Sequence, residues 1–138
     1  MSTAPSQALL LYVEDETLIR TDVADSLGEA GFSVVTAADG VEALSVLESQ
    51  ASSLRGLVTD IDLGDGPDGW EIARRARELK PEIAVIYVSG HGGLDWSARG
   101  VPHSVMVAKP FVAAQIVVAV SNLLNALDSS LVQPGATQ

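Results

Sequence analysis

The chain has 138 residues, with 8 Lys and Arg against 18 Asp and Glu. The formal charge of −10 repels nucleic acid and anionic membrane, so neither is an expected partner. The absence of cysteine excludes a disulfide framework, a cysteine-ligated zinc, an iron–sulfur cluster and a thiol nucleophile, while 47% apolar and 19% charged residues suit one folded domain.

Residues 1–7 carry no basic residue and do not look like a secretory leader. The longest apolar stretch, residues 111–120, is interrupted by Gln115 and is too short for a membrane span. A cytoplasmic domain is expected.

The elements alternate. The apolar run of residues 8–13 predicts a strand buried on both faces. Residues 17–30 predict a helix, with Ile19, Val23, Leu27 and Ala30 at helical spacing, Asp15 or Glu16 as its cap and Gly31 as its stop. Residues 32–37 predict a second strand. Asp39 then caps a helix over residues 40–50, with Val41, Leu44 and Leu47 or Glu48 as its apolar stripe.

Residues 54–60 predict the third strand, ending in Leu-Val-Thr-Asp. A loop with Gly64, Gly66 and Pro67 follows. Asp68 or Gly69 starts a helix that runs to about Lys80, where Pro81 ends it. Residues 83–88 predict the fourth strand, 94–99 a short helix, 101–108 the fifth strand and 111–127 the last helix. Five strands joined by helical crossovers predict a doubly wound α/β domain with a parallel sheet covered on both faces. The domain spans residues 8–127, between a flexible start at 1–7 and a loose tail at 128–138.

Open parallel sheets bind ligands beyond the carboxyl ends of their strands. Here the first strand ends in Glu14-Asp15-Glu16, the third in Asp60-Ile61-Asp62, the fourth in Ser89-Gly90 and the fifth in Lys109-Pro110. Taken singly, Asp15 reads as a helix cap, Ser89-Gly90 as a turn and Lys109-Pro110 as a loop. Asp60 is different, because an acid closing an apolar strand gains nothing structural there.

Together these pieces resemble the receiver domain of bacterial two-component response regulators. The resemblance rests on Leu-Tyr-Val-Glu14-Asp15-Glu, Leu-Val-Thr-Asp60, Asp68-Gly69, Val-Ser89-Gly90 and Lys109-Pro110-Phe111, in the family's order, and covers about residues 8–127. It implies a flavodoxin-like (βα)5 sheet of strand order 2-1-3-4-5. It implies that Asp60 accepts a phosphoryl group from a sensor histidine kinase or a histidine phosphotransfer protein. Mg²⁺ would be held by Glu14, Asp15, Asp60 and the main-chain carbonyl of Asp62. Lys109 would contact the phosphoryl oxygens, and Ser89 would act as the switch. Such a stand-alone receiver would switch the binding of an output partner or carry phosphate, with at most modest autophosphatase activity.

Four departures from the family pattern stand out. Glu14 replaces the more usual Asp. The loop from Ile61 to Gly69 is longer and adds Asp65 at its mouth. Met106 occupies the usual place of a switch aromatic three residues before Lys109, with Tyr87, two residues before Ser89, as a substitute or as plain core. The segment from Ser89 to Lys109 is short and glycine-rich, which predicts a short or mobile fourth helix, with His91 at the pocket rim.

Two further features are open at this point. Arg74, Arg75, Arg77 and Lys80 form either a solvated face or a docking patch for an acidic partner. The last helix has more apolar positions than one face needs, which leaves surface for a partner, a homodimer included, or for cover by the fourth helix and tail. A small Mg²⁺-dependent phosphohydrolase with Asp60 as nucleophile and Asp62 as second acid is the rival activity, and a receiver-like scaffold that is never phosphorylated is the rival without chemistry. A flavin-binding protein lacks support, because no phosphate-cradling loop follows the first strand.

Overall fold

In the computed structural model, residues 7–90 and 95–132 are described. The expectations for His91 and for most of the two chain ends lie outside them.

Five short apolar segments form one sheet: β1 (Leu9–Val13), β2 (Ser33–Ala37), β3 (Leu54–Asp60), β4 (Ala84–Ser89) and β5 (Ser104–Ala108). All neighbours are parallel, in the order β2-β1-β3-β4-β5. The apolar content of each strand follows from its place. All six residues of β4 are buried, whereas the edge strands β2 and β5 are mostly half-buried.

Alternation along the strands feeds two cores. Leu11, Val13, Leu57, Val85 and Tyr87 point to one side and pack with Leu47, Trp70 and Ile72. Leu10, Tyr12, Val58, Ile86 and Val88 point to the other and pack with Val23, Leu27, Ile116, Val120 and Leu124. The first core lies under α2 (Gly40–Gln50) and α3 (Gly69–Leu79), the second under α1 (Thr17–Glu29) and α5 (Ala113–Val132).

The helix ends explain where the chain turns. Asp39 caps α2 by accepting from Glu42 N at 2.8 Å, as expected. A capping box starts α3: Asp68 accepts from Glu71 N at 3.0 Å, and the Glu71 carboxylate accepts from Asp68 N at 3.2 Å. The expected side-chain cap of α1 is not made by either candidate. Glu16 stands at the cap position without a side-chain bond, and its N–H donates to Glu14 Oε2 at 3.1 Å instead.

The inward face of α2 also differs from the expected stripe. Gly40, Ala43 and Leu47 are buried, while Val41 is 67% exposed. Gly40 is the reason: a Cβ there would strike the Pro67 carbonyl, so this small residue lets the helix close on the loop before α3.

The short fourth helix, α4 (Trp96–Arg99), has four residues and buries none of them. The last helix runs to Val132, past the expected end at Leu127, because no proline or glycine interrupts the chain before Pro134. Asp128, expected in a loose tail, lies on α5 and pairs with Arg55 at 2.7 Å. Gln115 reaches back from the first turn of α5 to accept from Val112 N at 2.8 Å.

Most of the basic residues of α3 turn out to tie elements together. Arg75 bonds Glu48 on α2 at 2.6 Å and Glu78 at 3.0 Å. Arg77 donates to the carbonyls of Ile83 at 2.8 Å and Pro102 at 2.6 Å, and Lys80 to that of Ser52 at 3.0 Å. Among the described residues, no helix is long and apolar enough to cross a membrane.

Candidate functional site

The register brings the strand ends to one rim. Val13 pairs with Ala37 and Thr59, Asp60 with Val88, and Ser89 with Ala108. Glu14, Asp15, Asp60, Ser89 and Lys109 therefore stand just past or at the ends of four adjacent strands. Glu14, Asp60 and Ser89 are buried and Asp15 is exposed.

Lys109 Nζ lies 2.8 Å from Asp60 Oδ2 and 4.0 Å from Glu14 Oε1. The other oxygen of Asp60, Oδ1, accepts from Asp62 N at 3.3 Å. Carboxylate oxygens from Glu14, Asp15 and Asp60 lie within 4.8 Å of one another. Three acids converging this closely suit a hard divalent cation, which prefers oxygen ligands and would offset their repulsion. Asp62, beside them, is exposed, and so is Asp65.

Burial sets the electrostatics. Desolvation, with the Asp60 charge adding to it, pushes the Glu14 carboxyl up to about 7, against the pull of Glu16 N and Lys109. Desolvation also raises Asp60, and the Lys109 hydrogen bond only partly offsets it. Burial alone would lower Lys109, but its bond to Asp60 and the nearby carboxylates leave it raised. The site is thus short of positive charge by its own ionisation behaviour.

The backbone that aims these groups is held tightly. Thr59 Oγ1 donates to the Asp60 carbonyl at 2.8 Å, Ile61 N to that of Val88 at 3.1 Å and Lys109 N to that of Ser89 at 2.9 Å. The Lys109–Pro110 peptide is cis. Gly69 abuts the turn after Asp60: a Cβ on it would strike the Asp60 carbonyl, and its N–H donates to Ile61 O at 2.9 Å.

Two supporting residues are not apparent from the strand ends alone. Arg20 Nη1, from α1, donates to the Glu14 carbonyl at 2.7 Å, and the buried Tyr12 hydroxyl reaches Glu14 Oε1 at 3.5 Å. Both follow geometrically from their spacing, Arg20 one turn into the helix and Tyr12 two residues back along the strand. Met106 is half-buried and packs against the α2–α3 core, which Tyr87 also joins.

The model of the response regulator receiver domain matches residues 10–121. The chain belongs to the response regulator receiver domain family. The receiver is 33% identical over 124 residues to the sensor kinase CckA of Brucella abortus, covering 88% of this chain. It is 29% identical to the response regulator receiver protein CpdR of the same organism, covering 85% of this chain and 97% of CpdR.

A solved response regulator receiver protein from Sinorhizobium medicae superposes with a TM-score of 0.83 at 42% identity, over 88% of this chain and 97% of that one. The receiver spans only 13% of the length of CckA, and 25 to 26% of two other long relatives it matches.

The five-stranded 2-1-3-4-5 sheet is the fold of this family. Receivers are phosphoacceptors in two-component signalling rather than enzymes of the ordinary kind. They interact with histidine kinases or phosphotransfer proteins and bind Mg²⁺ at an acidic pocket. This chain carries an acidic cluster of Glu14, Asp15 and Asp60 at the rim.

Proposed function

We propose that Asp60 is the phosphoacceptor of this receiver, working in the cytoplasm with a phosphohistidine as donor. An Asp60 carboxylate oxygen forms a bond to phosphorus as the P–N bond to the donor histidine breaks, and the imidazole leaves. The observation that carries this reading is the placement of Asp60 between Lys109, at 2.8 Å, and the acids Glu14 and Asp15. A phosphoryl group approaching a lone carboxylate meets charge repulsion; one approaching this site meets an ammonium and a place for a cation.

Mg²⁺, held by Glu14, Asp15, Asp60 and the Asp62 main-chain carbonyl, would supply charge neutralisation between carboxylate and phosphoryl oxygens. Lys109 then turns from Asp60 Oδ2 to a phosphoryl oxygen, and the Ser89 hydroxyl donates to another. Slow attack by water on phosphorus releases phosphate and restores Asp60, a modest autophosphatase activity. The donor is a sensor histidine kinase or a histidine phosphotransfer protein.

The output is binding of a partner, or passage of the phosphate onward. A shallow groove between β5 and α5, lined by Met106, Ala108, Ala114, Val118 and Ala119, is the surface proposed for that partner or for a second copy of the receiver; Val118 is 56% exposed there.

Incubation with acetyl phosphate and Mg²⁺, followed by intact mass measurement, tests the proposal. A Mg²⁺-dependent phosphoryl adduct that is absent in Asp60→Asn is expected. No adduct on the folded protein, with no phosphate released, overturns it in favour of a scaffold. Rapid turnover of the small phosphate ester points to the hydrolase instead.

A further inference from the structure

Both main-chain polar groups of Val101 are held by side chains. Its N–H donates to the Tyr87 hydroxyl at 3.0 Å, and its carbonyl accepts from Ser104 Oγ at 2.7 Å. Ser104 Oγ in turn accepts from Trp96 Nε1 at 2.9 Å. One unbroken chain of hydrogen bonds therefore runs from the middle of β4, through the connection before β5, to α4.

The position of α4 depends heavily on such ties. None of its four residues is fully buried: Trp96 is half-buried and packs against the α2–α3 core, and the other three are exposed. At its far end Arg99 lies 5.4 Å over the Trp70 ring and 3.8 Å from Asp68 Oδ2. Trp70 itself packs against Tyr87, with ring centroids 4.8 Å apart. Tyr87 thus contacts the α4 region twice, through its hydroxyl and through Trp70.

The hydroxyl is what needs explaining. Tyr87 is fully buried, and a phenylalanine would fill the same space with no polar group to desolvate. The Tyr87 hydroxyl accepts from Val101 N. The same residue lies two positions before Ser89 on the same face of β4, and it pairs with Thr59, the neighbour of Asp60, on one side and with Met106 on the other. A shift at the end of β4 has only two residues to cross before it moves the hydroxyl that holds Val101.

We infer that the Tyr87–Val101–Ser104–Trp96 chain is a latch that docks α4, and that its closure is coupled to what occupies Asp60. The second half rests on Asp60 being the phosphoacceptor. Coupling of this kind is reciprocal: if occupancy at Asp60 changes the latch, removing the latch changes affinity at Asp60 by the same factor.

The test uses the full chain as wild type, Tyr87→Phe and Ser104→Ala. The second variant leaves the buried core intact and breaks the chain further along, so it serves alone if the first does not fold. Two quantities are measured: amide exchange over residues 95–104, relative to β1 and β3, and affinity for beryllofluoride with Mg²⁺, the beryllium trifluoride group as a whole standing in for a phosphoryl group. Loss of one buried hydrogen bond is expected to speed exchange at Val101 by about tenfold, and the beryllofluoride Kd is expected to move by roughly threefold or more in both variants.

Unchanged exchange overturns the latch. Faster exchange with a beryllofluoride Kd within about twofold of wild type overturns the coupling. Failure of the wild type to bind beryllofluoride overturns the assignment of Asp60 and the coupling with it, while the exchange arm still reports on the docking.

Discussion

Lys109 Nζ sits 2.8 Å from Asp60 Oδ2, closer than it sits to Glu14, whose Oε1 is 4.0 Å away. The ammonium is shared unequally between two buried acids that come from different strands. Asp60 has the direct bond, and Glu14 is left with Glu16 N, the Tyr12 hydroxyl and a more distant charge. Burial raises the ionisation point of Glu14, and the distant ammonium only partly offsets it; the first two expectations follow from this, and a third from the turn after Asp60.

The first concerns Lys109. Lys109→Ala leaves Asp60 and Glu14 buried without their ammonium, so both become harder to ionise. A loss of about 2 kcal/mol in unfolding free energy is expected at pH 8 without metal, with a smaller loss near pH 5, where protonation relieves the acids. Urea melts at the two pH values check this. An equal loss at both would show that Lys109 contributes packing rather than charge.

The second concerns pH. The Glu14 carboxyl is raised from an ordinary 4.5 to about 7 in the folded chain. The folded state therefore binds the proton more tightly than the unfolded state. The stability this gives is fully present below about 4.5 and is lost as pH rises through about 7. Metal-free protein is expected to weaken across that window, and Glu14→Gln, which cannot ionise, is expected to flatten the slope. Mg²⁺ binding, which needs the carboxylate, is expected to strengthen over the same range. A metal-free stability curve that rises from pH 5 to 8, or an unchanged slope in Glu14→Gln, would count against a buried, proton-holding Glu14.

The third concerns Gly69. Its Cα lies so close to the Asp60 carbonyl that an added methyl must displace backbone rather than a side chain. Gly69→Ala is expected to cost roughly 2–3 kcal/mol and to weaken phosphoryl uptake by shifting the turn that carries Asp60. Gly28→Ala is the control, since no atom lies near the added methyl, and it is expected to be neutral or mildly stabilising. Thermal melts of both variants decide the point. Equal melting temperatures would show that the turn after Asp60 yields easily.

Much of this site was legible because strands buried on both faces read as apolar runs, and a charge can only appear where such a run ends. Asp60 stood out for that reason, Lys109 through the resemblance to the receiver family, and Asp68 and Asp39 for the local chemistry of helix caps. What escaped depended on partners distant in the chain. Val41 shows the ordinary helical spacing of a core residue, yet Gly40 turns inward because Pro67 lies against it. Arg77 reads as surface charge but reaches carbonyls before β4 and β5. Arg20 reads as solvated until α1 is placed against the end of β1. The Tyr87 hydroxyl gives no local hint that it meets Val101.

Lys109 follows β5, an edge strand paired on one side only, whereas Asp60 ends β3, which is flanked on both sides. Edge strands open at lower cost than central ones. Fraying of this margin would withdraw the ammonium and leave the acids in place. On opening from this edge, Lys109 is expected to leave the site before Asp60 does.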